Sequence, residues 1–110
     1  LSGCCLMVSK NTFEEVDGFD ENYFLFNEDV DLCRMINQTG KEVIYFPYAN
    51  IIHRVSTSNS KASTKVIVQR HLGMMHYFKK HYKENLLIRG TINFFIFVRC
   101  LLQLLINFFK

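Results

Sequence analysis

The chain contains no tryptophan, a single proline and five glycines among its 110 residues, and it has neither an internal repeat nor a low-complexity tract. That composition excludes collagen-like and linker-like sequence and leaves regular structure as the default. Its four cysteines (Cys4, Cys5, Cys33 and Cys100) form no C-x-x-C pair. Neither a zinc site nor a disulfide framework is indicated, so a reducing compartment is expected. No secretory leader is legible: Leu1 is not an initiator methionine, and the opening apolar run is too short. We expect a fragment of a longer protein, large enough for one small domain or part of one. Acidic residues are nearly missing from the second half. Residues 56–110 hold one acid against nine Lys/Arg, whereas residues 1–55 hold nine acids against four, and the formal charge of +3 hides this split. Such asymmetry suggests an acidic half bearing a site and a basic half that meets phosphate or membrane.

What is present is a succession of short patterned segments. Residues 3–8, GCCLMV, form a continuous apolar run readable as a buried strand. Ser9 is a candidate N-cap for a helix over 10–16, closed by Gly18. Residues 19–27 make an aromatic-acidic loop. A second helix fits 28–39, with acids in its first turn, apolar residues at Val30, Leu32, Cys33, Met35 and Ile36, and Gly40 after it. EVIYFP (42–47) reads as a strand stopped by Pro47, and ANIIH (49–53) as a short extended piece. The Ser/Thr/Asn-rich stretch 55–64 reads as a loop. A longer helix is predicted over 62–83, with Ile67, His71, Met74, Phe78 and Tyr82 along one face.

The most informative stretch is FDENYFLFNEDVDL, residues 19–32, in which carboxylates alternate with aromatic rings. Acidic groups set against apolar surface are costly unless they do chemistry, hold a cation or find partners. At a helix N-terminus the dipole and free backbone N–H groups favour the ionised carboxylate, the form a general base needs. Glu28, Asp29 and Asp31 therefore read either as a site or as first-turn acids that stabilise their helix. Phe19, Asp20, Tyr23 and Phe24 read as a pocket wall or as a small satellite core. His53, which closes an apolar strand, is a candidate metal ligand or a packed residue. The basic, hydroxyl-rich stretch from Arg54 to Lys65 has the chemistry of a lid over a diphosphate.

Residues 86–109 are almost entirely apolar, with a membrane span's length, but Arg89, Arg99 and Gln103 argue against a clean span. At 100° per residue, Arg89, Asn93, Arg99, Gln103, Asn107 and Lys110 fall within an arc of about 120°. We read a helix lying in the membrane interface, apolar face down and cations at headgroup level. Burial against a missing domain or partner, or a true span, are the alternatives. Lys79, Lys80, His81 and Lys83 precede it and suit anionic headgroups or a lipid-linked diphosphate.

The succession SGCCLMVSKNTFEEVDGFDENYFLFNEDVDLC, then GKEVIYFP, then IIH, resembles the C-terminal half of a bacterial family 2 glycosyltransferase. Within that family it is most similar to the rhamnosyltransferase-like enzymes of polysaccharide assembly, and the downstream HYFKKHY also recurs there. Two departures stand out: VDGFD where a second glycine is common, and Arg34-Met35 where an arginine usually takes the second place.

The resemblance implies an α/β chain, the acceptor-side half of a GT-A (nucleotide-diphospho-sugar transferase) fold with C-terminal amphipathic helices. Residues 1–60 would belong to the catalytic domain and residues 61–110 to a membrane-associated tail. It implies inverting transfer of rhamnose or another hexose from a nucleotide sugar to a glycan or lipid-linked acceptor, on the cytoplasmic face of the membrane. Asp29 would be the general base, Glu28 its orienting partner, and Phe19, Asp20, Tyr23 and Phe24 the acceptor contacts. His53 would be a ligand of a divalent metal, Mn or Mg, beside an Asp-x-Asp carried by the nucleotide-binding half, which this chain lacks. Alone, the chain is therefore expected to be inactive. Nucleic acid is not an expected partner. Two other classes compete. One is a non-catalytic, membrane-associated remnant that packs against a separate nucleotide-binding chain. The other is a metal-dependent hydrolase using Glu28, Asp29, Asp31 and His53 as ligands.

Overall fold

The computed structural model describes residues 3–52, 63–82 and 85–109. Four helices account for the regular structure: α1 (Lys10–Glu15), α2 (Glu28–Gln38), α3 (Thr64–His81) and α4 (Leu86–Phe108). Their bounds lie within two residues of those read from the sequence. Local chemistry explains each end. The Ser9 hydroxyl accepts the Thr12 N–H at 3.2 Å, which caps α1. Beyond α1 the chain turns through Asp17 and Gly18, both left-handed, and the Gly18 N–H returns to the Phe13 carbonyl at 2.9 Å. A side chain at Gly18 would also meet the Phe13 ring at 2.9 Å, so both the backbone and the space demand glycine. Gly40 closes α2 in the same way, at φ +82°. Ser63 and Asn85 cap α3 and α4.

The expected α/β architecture is not found. Among the described residues there is no strand and no sheet, and all regular structure is helical, which conflicts with a GT-A half. The segments expected as strands at 3–8 and 42–47, and the described part of 49–53, run without a ladder. A β-strand exists only by exchanging backbone hydrogen bonds with a neighbour, and none of these segments has one among the described residues. Residues 4–7 and 44–46, with Ala49 and Ile51, instead line an open hollow of about 660 Å³, and Met7 (97% exposed), Ile44 and Tyr45 are largely exposed. Their β-branched and aromatic content was a correct measure of propensity and a wrong guide to structure.

The chain forms two compact units. One holds α1, α2 and the extended segments; the other holds α3 and α4 together with Asn22–Asn27, the second part of the aromatic-acidic loop. In the first unit α2 buries Asp31, Leu32 and Ile36, and Leu32 has no exposed surface. The Phe13 and Phe19 rings meet edge to face at 5.5 Å, and Lys41 pairs with Glu15. In the second unit α3 and α4 pack along each other. Ile67, His71 and Gly73 are the buried positions of α3, and Ile96 that of α4.

Leu32→Ala is expected to destabilise the chain by about 2–5 kcal/mol, because the cavity left at a fully buried position does not collapse. Ile44→Ala, at an exposed position, is expected to cost less than about 0.5 kcal/mol. Urea unfolding followed by circular dichroism separates the two.

Candidate active site

Glu28 and Asp29 open α2, and Asp31 completes the acidic first turn. The three do different things. One oxygen of Asp29 accepts the Gly3 N–H at 2.7 Å, and the other accepts the Val30 N–H at 2.8 Å. The side chain is half-buried, so it is oriented by backbone donors and still reachable from solvent. A side chain at position 3 would lie 3.4 Å from the Asp29 Cβ, an ordinary contact, so Gly3 fits closely without being forced. Glu28 carries a buried oxygen, Oε2, with no hydrogen-bond partner. A buried carboxylate oxygen left without a donor is unfavourable. Asp31 is fully buried beside Leu32 and belongs to the interior of its unit.

The aromatic-acidic loop divides between the two units. Phe19 stacks on Phe13 and keeps a large exposed face, and Asp20 is half-buried. Tyr23 is buried in the other unit, its ring edge to face with His76 at 4.8 Å. Phe24 stays exposed, with the Lys65 ammonium 4.7 Å from its ring centre. His53 lies outside the described residues, as do most of the stretch expected as a diphosphate lid and Lys83. Among the described residues no three His, Cys, Asp or Glu side chains converge on a point where a metal could sit. A hydrolase site built from Glu28, Asp29 and Asp31 has no support there, since one of the three is oriented by backbone donors and another is interior.

Three features were not anticipated. The Arg70 guanidinium lies 4.4 Å above the Phe26 ring. Phe26 and Asn27 are both left-handed, at φ +67° and +71°, a conformation that costs non-glycine residues about 1–3 kcal/mol each. His71 is 2% exposed; its Nδ1 bonds the Ile67 carbonyl at 2.7 Å, and its Nε2 is buried without a partner. The one available signal was Gly73, an isolated glycine inside a helical pattern, where glycine costs about 1 kcal/mol relative to alanine.

Comparison with known proteins bears on this arrangement. No family model matches the chain, and no solved structure matches it. It is 37% identical over 71 residues to the N-acetylglucosaminyl-diphospho-decaprenol L-rhamnosyltransferase of Mycobacterium tuberculosis, covering 64% of this chain and 23% of the relative. It is 33% identical over 64 residues to the rhamnosyltransferase WbbL of Escherichia coli, covering 58% of this chain and 24% of that protein. The chain resembles a segment of rhamnosyltransferases. This rhamnosyltransferase-like segment spans about a quarter of the length of the curated relatives it matches.

Replacing Asp29 with alanine is expected to release the Gly3 amide and speed its hydrogen exchange by roughly tenfold, as loss of a charge-assisted bond implies. Exchange measured by NMR at that one amide checks it. An unchanged rate would mean the carboxylate is not held there.

Proposed function

We propose that this chain is the acceptor-activating segment of an inverting family 2 glycosyltransferase that moves rhamnose or another hexose from a nucleotide sugar to a glycan or lipid-linked acceptor. The reading is supported chiefly by the sequence shared with two rhamnosyltransferases, together with a carboxylate that is both oriented and accessible. Asp29 takes the proton of the acceptor hydroxyl as its oxygen bonds to the anomeric carbon. The bond from that carbon to the nucleoside diphosphate breaks on the opposite side, and the sugar's configuration inverts. The Gly3 N–H holds the carboxylate and limits its rotation, which keeps it aimed at one hydroxyl. Glu28 Oε2, buried and without a donor, accepts a second acceptor hydroxyl and so orients the sugar ring. Phe19 and Asp20, which belong to the same unit as the acid pair, line the approach. The divalent cation that the resemblance implies would stabilise the departing diphosphate. Its ligands would be His53 and groups of the longer polypeptide, and no step assigned to the described residues depends on it.

Association with the cytoplasmic face of the membrane belongs to the same reading. α4 is the one helix among the described residues long and apolar enough to cross a bilayer. Its polar side is half-buried: Arg89, Asn93, Gln103 and Asn107 are partly covered, and Arg99 reaches the Met74 sulfur of α3 at 3.8 Å. Its outward side presents Phe94, Phe95, Leu102, Leu105 and Ile106. A face that apolar is unfavourable in water and favourable against acyl chains. Lys79 and Lys80, in the last turn of α3, suit anionic headgroups.

Two measurements test these statements, both in a polypeptide of the relatives' full length that carries this segment. Asp29→Asn is expected to lower kcat for sugar transfer by about 10²–10⁴-fold with little change in acceptor KM; wild-type turnover would remove the assigned base. Flotation with vesicles containing anionic lipid is expected to carry the wild-type protein and to lose Leu102→Glu/Ile106→Glu. Equal flotation of both would remove α4 as the contact.

A further inference from the structure

The open hollow of about 660 Å³ in the first unit begins beside the proposed base. Asp29 accepts the Gly3 N–H at 2.7 Å, and Cys4, the next residue, is already part of the hollow's wall. Consecutive Cα atoms are about 3.8 Å apart, so the wall starts one residue from the backbone group that holds the carboxylate. All of its lining residues belong to the unit that contains Asp29.

The chemistry of that wall is narrow. Leu6, Met7, Ile44, Phe46 and Ile51 supply its larger apolar side chains, and no Asp, Glu, Lys, Arg or His among the described residues lines it. A diphosphate would meet no charge there. A sugar would find only the Tyr45 phenol and the thiols of Cys4 and Cys5 as side-chain hydrogen-bonding groups. A second hollow in the same unit, of about 220 Å³, is lined in part by Ser9, Thr12, Lys41 and Glu42. Polar side chains are thus available in this unit and are kept out of the larger space. Ligand pockets run about 300–1,000 Å³; the larger hollow lies in that range and the smaller does not. Met7, Ile44, Tyr45 and Phe46 are largely exposed around it, and contiguous apolar surface of that kind marks a binding groove.

We propose that this hollow receives the hydrocarbon chain of the acceptor, which makes the acceptor a lipid-linked molecule and not a free glycan. This rests on the function proposed above. Apolar contact in the hollow holds the acceptor beside Asp29, and it contributes to acceptor binding without taking part in the proton transfer.

The test uses a polypeptide of the relatives' full length. Decanol carrying a terminal diazirine is photolysed with it, and the adducts are located by mass spectrometry. Adducts are expected within residues 4–7 or 44–51, apart from any on α4. Ile44→Asp/Phe46→Asp is expected to lose them by roughly tenfold or more, because a charge facing hydrocarbon is unfavourable. Those two side chains are 68% and 64% exposed, so the substitutions leave the fold intact, as circular dichroism checks. Met7→Glu, at an almost wholly exposed position, is the second variant. In sugar-transfer assays plain decanol is expected to raise the wild-type acceptor KM by roughly tenfold at unchanged kcat, and to leave the variants' KM unmoved. Labelling confined to α4, as when the rest of the longer polypeptide or a second copy fills the hollow, would overturn the proposal. So would a KM that decanol does not move, or moves equally in the variants. Asp29→Asn run in parallel tells the two readings apart. If it transfers sugar like the wild type while the hollow is labelled, the transfer reading is lost and the hydrocarbon site stands. If it is inactive and the hollow is unlabelled, the hydrocarbon site alone is lost.

Discussion

Within its unit the loop Asn22–Asn27 comes close against α3 at Gly73, where an added Cβ would lie 3.3 Å from the Phe26 carbonyl oxygen and 2.8 Å from the Asn27 amide. Beside that approach the Tyr23 ring meets His76 and the Phe26 ring lies under Arg70. The left-handed pair Phe26–Asn27 ends the loop at the residue before α2 begins. Strain of this kind persists where the surroundings over-determine it, and such places are commonly functional. Here it falls immediately before the acid pair.

The two halves of the charge distribution now have separate explanations. The acids of the first half are not a solvated run: Asp31 is interior, Asp29 is oriented by backbone donors, and Glu15 is paired with Lys41. Among the described residues the cations of the second half lie along α3 and α4, and two of them, Lys65 and Arg70, sit over aromatic rings of the loop. α4 is inverted relative to a helix on a water-facing surface, since its polar residues are partly covered and its apolar residues are open. That inversion is the feature on which the proposed membrane contact rests.

Much of the local structure was legible in the residues. Ser9, Gly18 and Gly40 mark helix ends by backbone chemistry that acts over a few residues, and the periodicity around Leu32 and Ile36 marks a buried face. The acid pair stood out because carboxylates beside aromatic rings need a reason. The strands were misjudged for an equally physical cause. GCCLMV and EVIYFP have the composition of strands, but pairing depends on a neighbour that composition cannot supply. The approach of the loop to Gly73 was hidden because Asn27 is 46 positions away in the chain, and sequence periodicity carries no information about such an approach. The polar stripe of α4 was visible as an arc, but its direction was not. A stripe can face water or a neighbouring helix with the same spacing.

The central claim is the one proposed for Asp29: its carboxylate, oriented by the Gly3 N–H, takes the proton of the acceptor hydroxyl. The most direct measurement is rescue of sugar transfer by added formate in Asp29→Ala, made in a polypeptide of the relatives' full length. If the carboxylate is the base, the variant is nearly inactive and formate restores part of kcat, because a small carboxylate can take the same proton. If the variant turns over like the wild type, or formate restores nothing, the account is wrong.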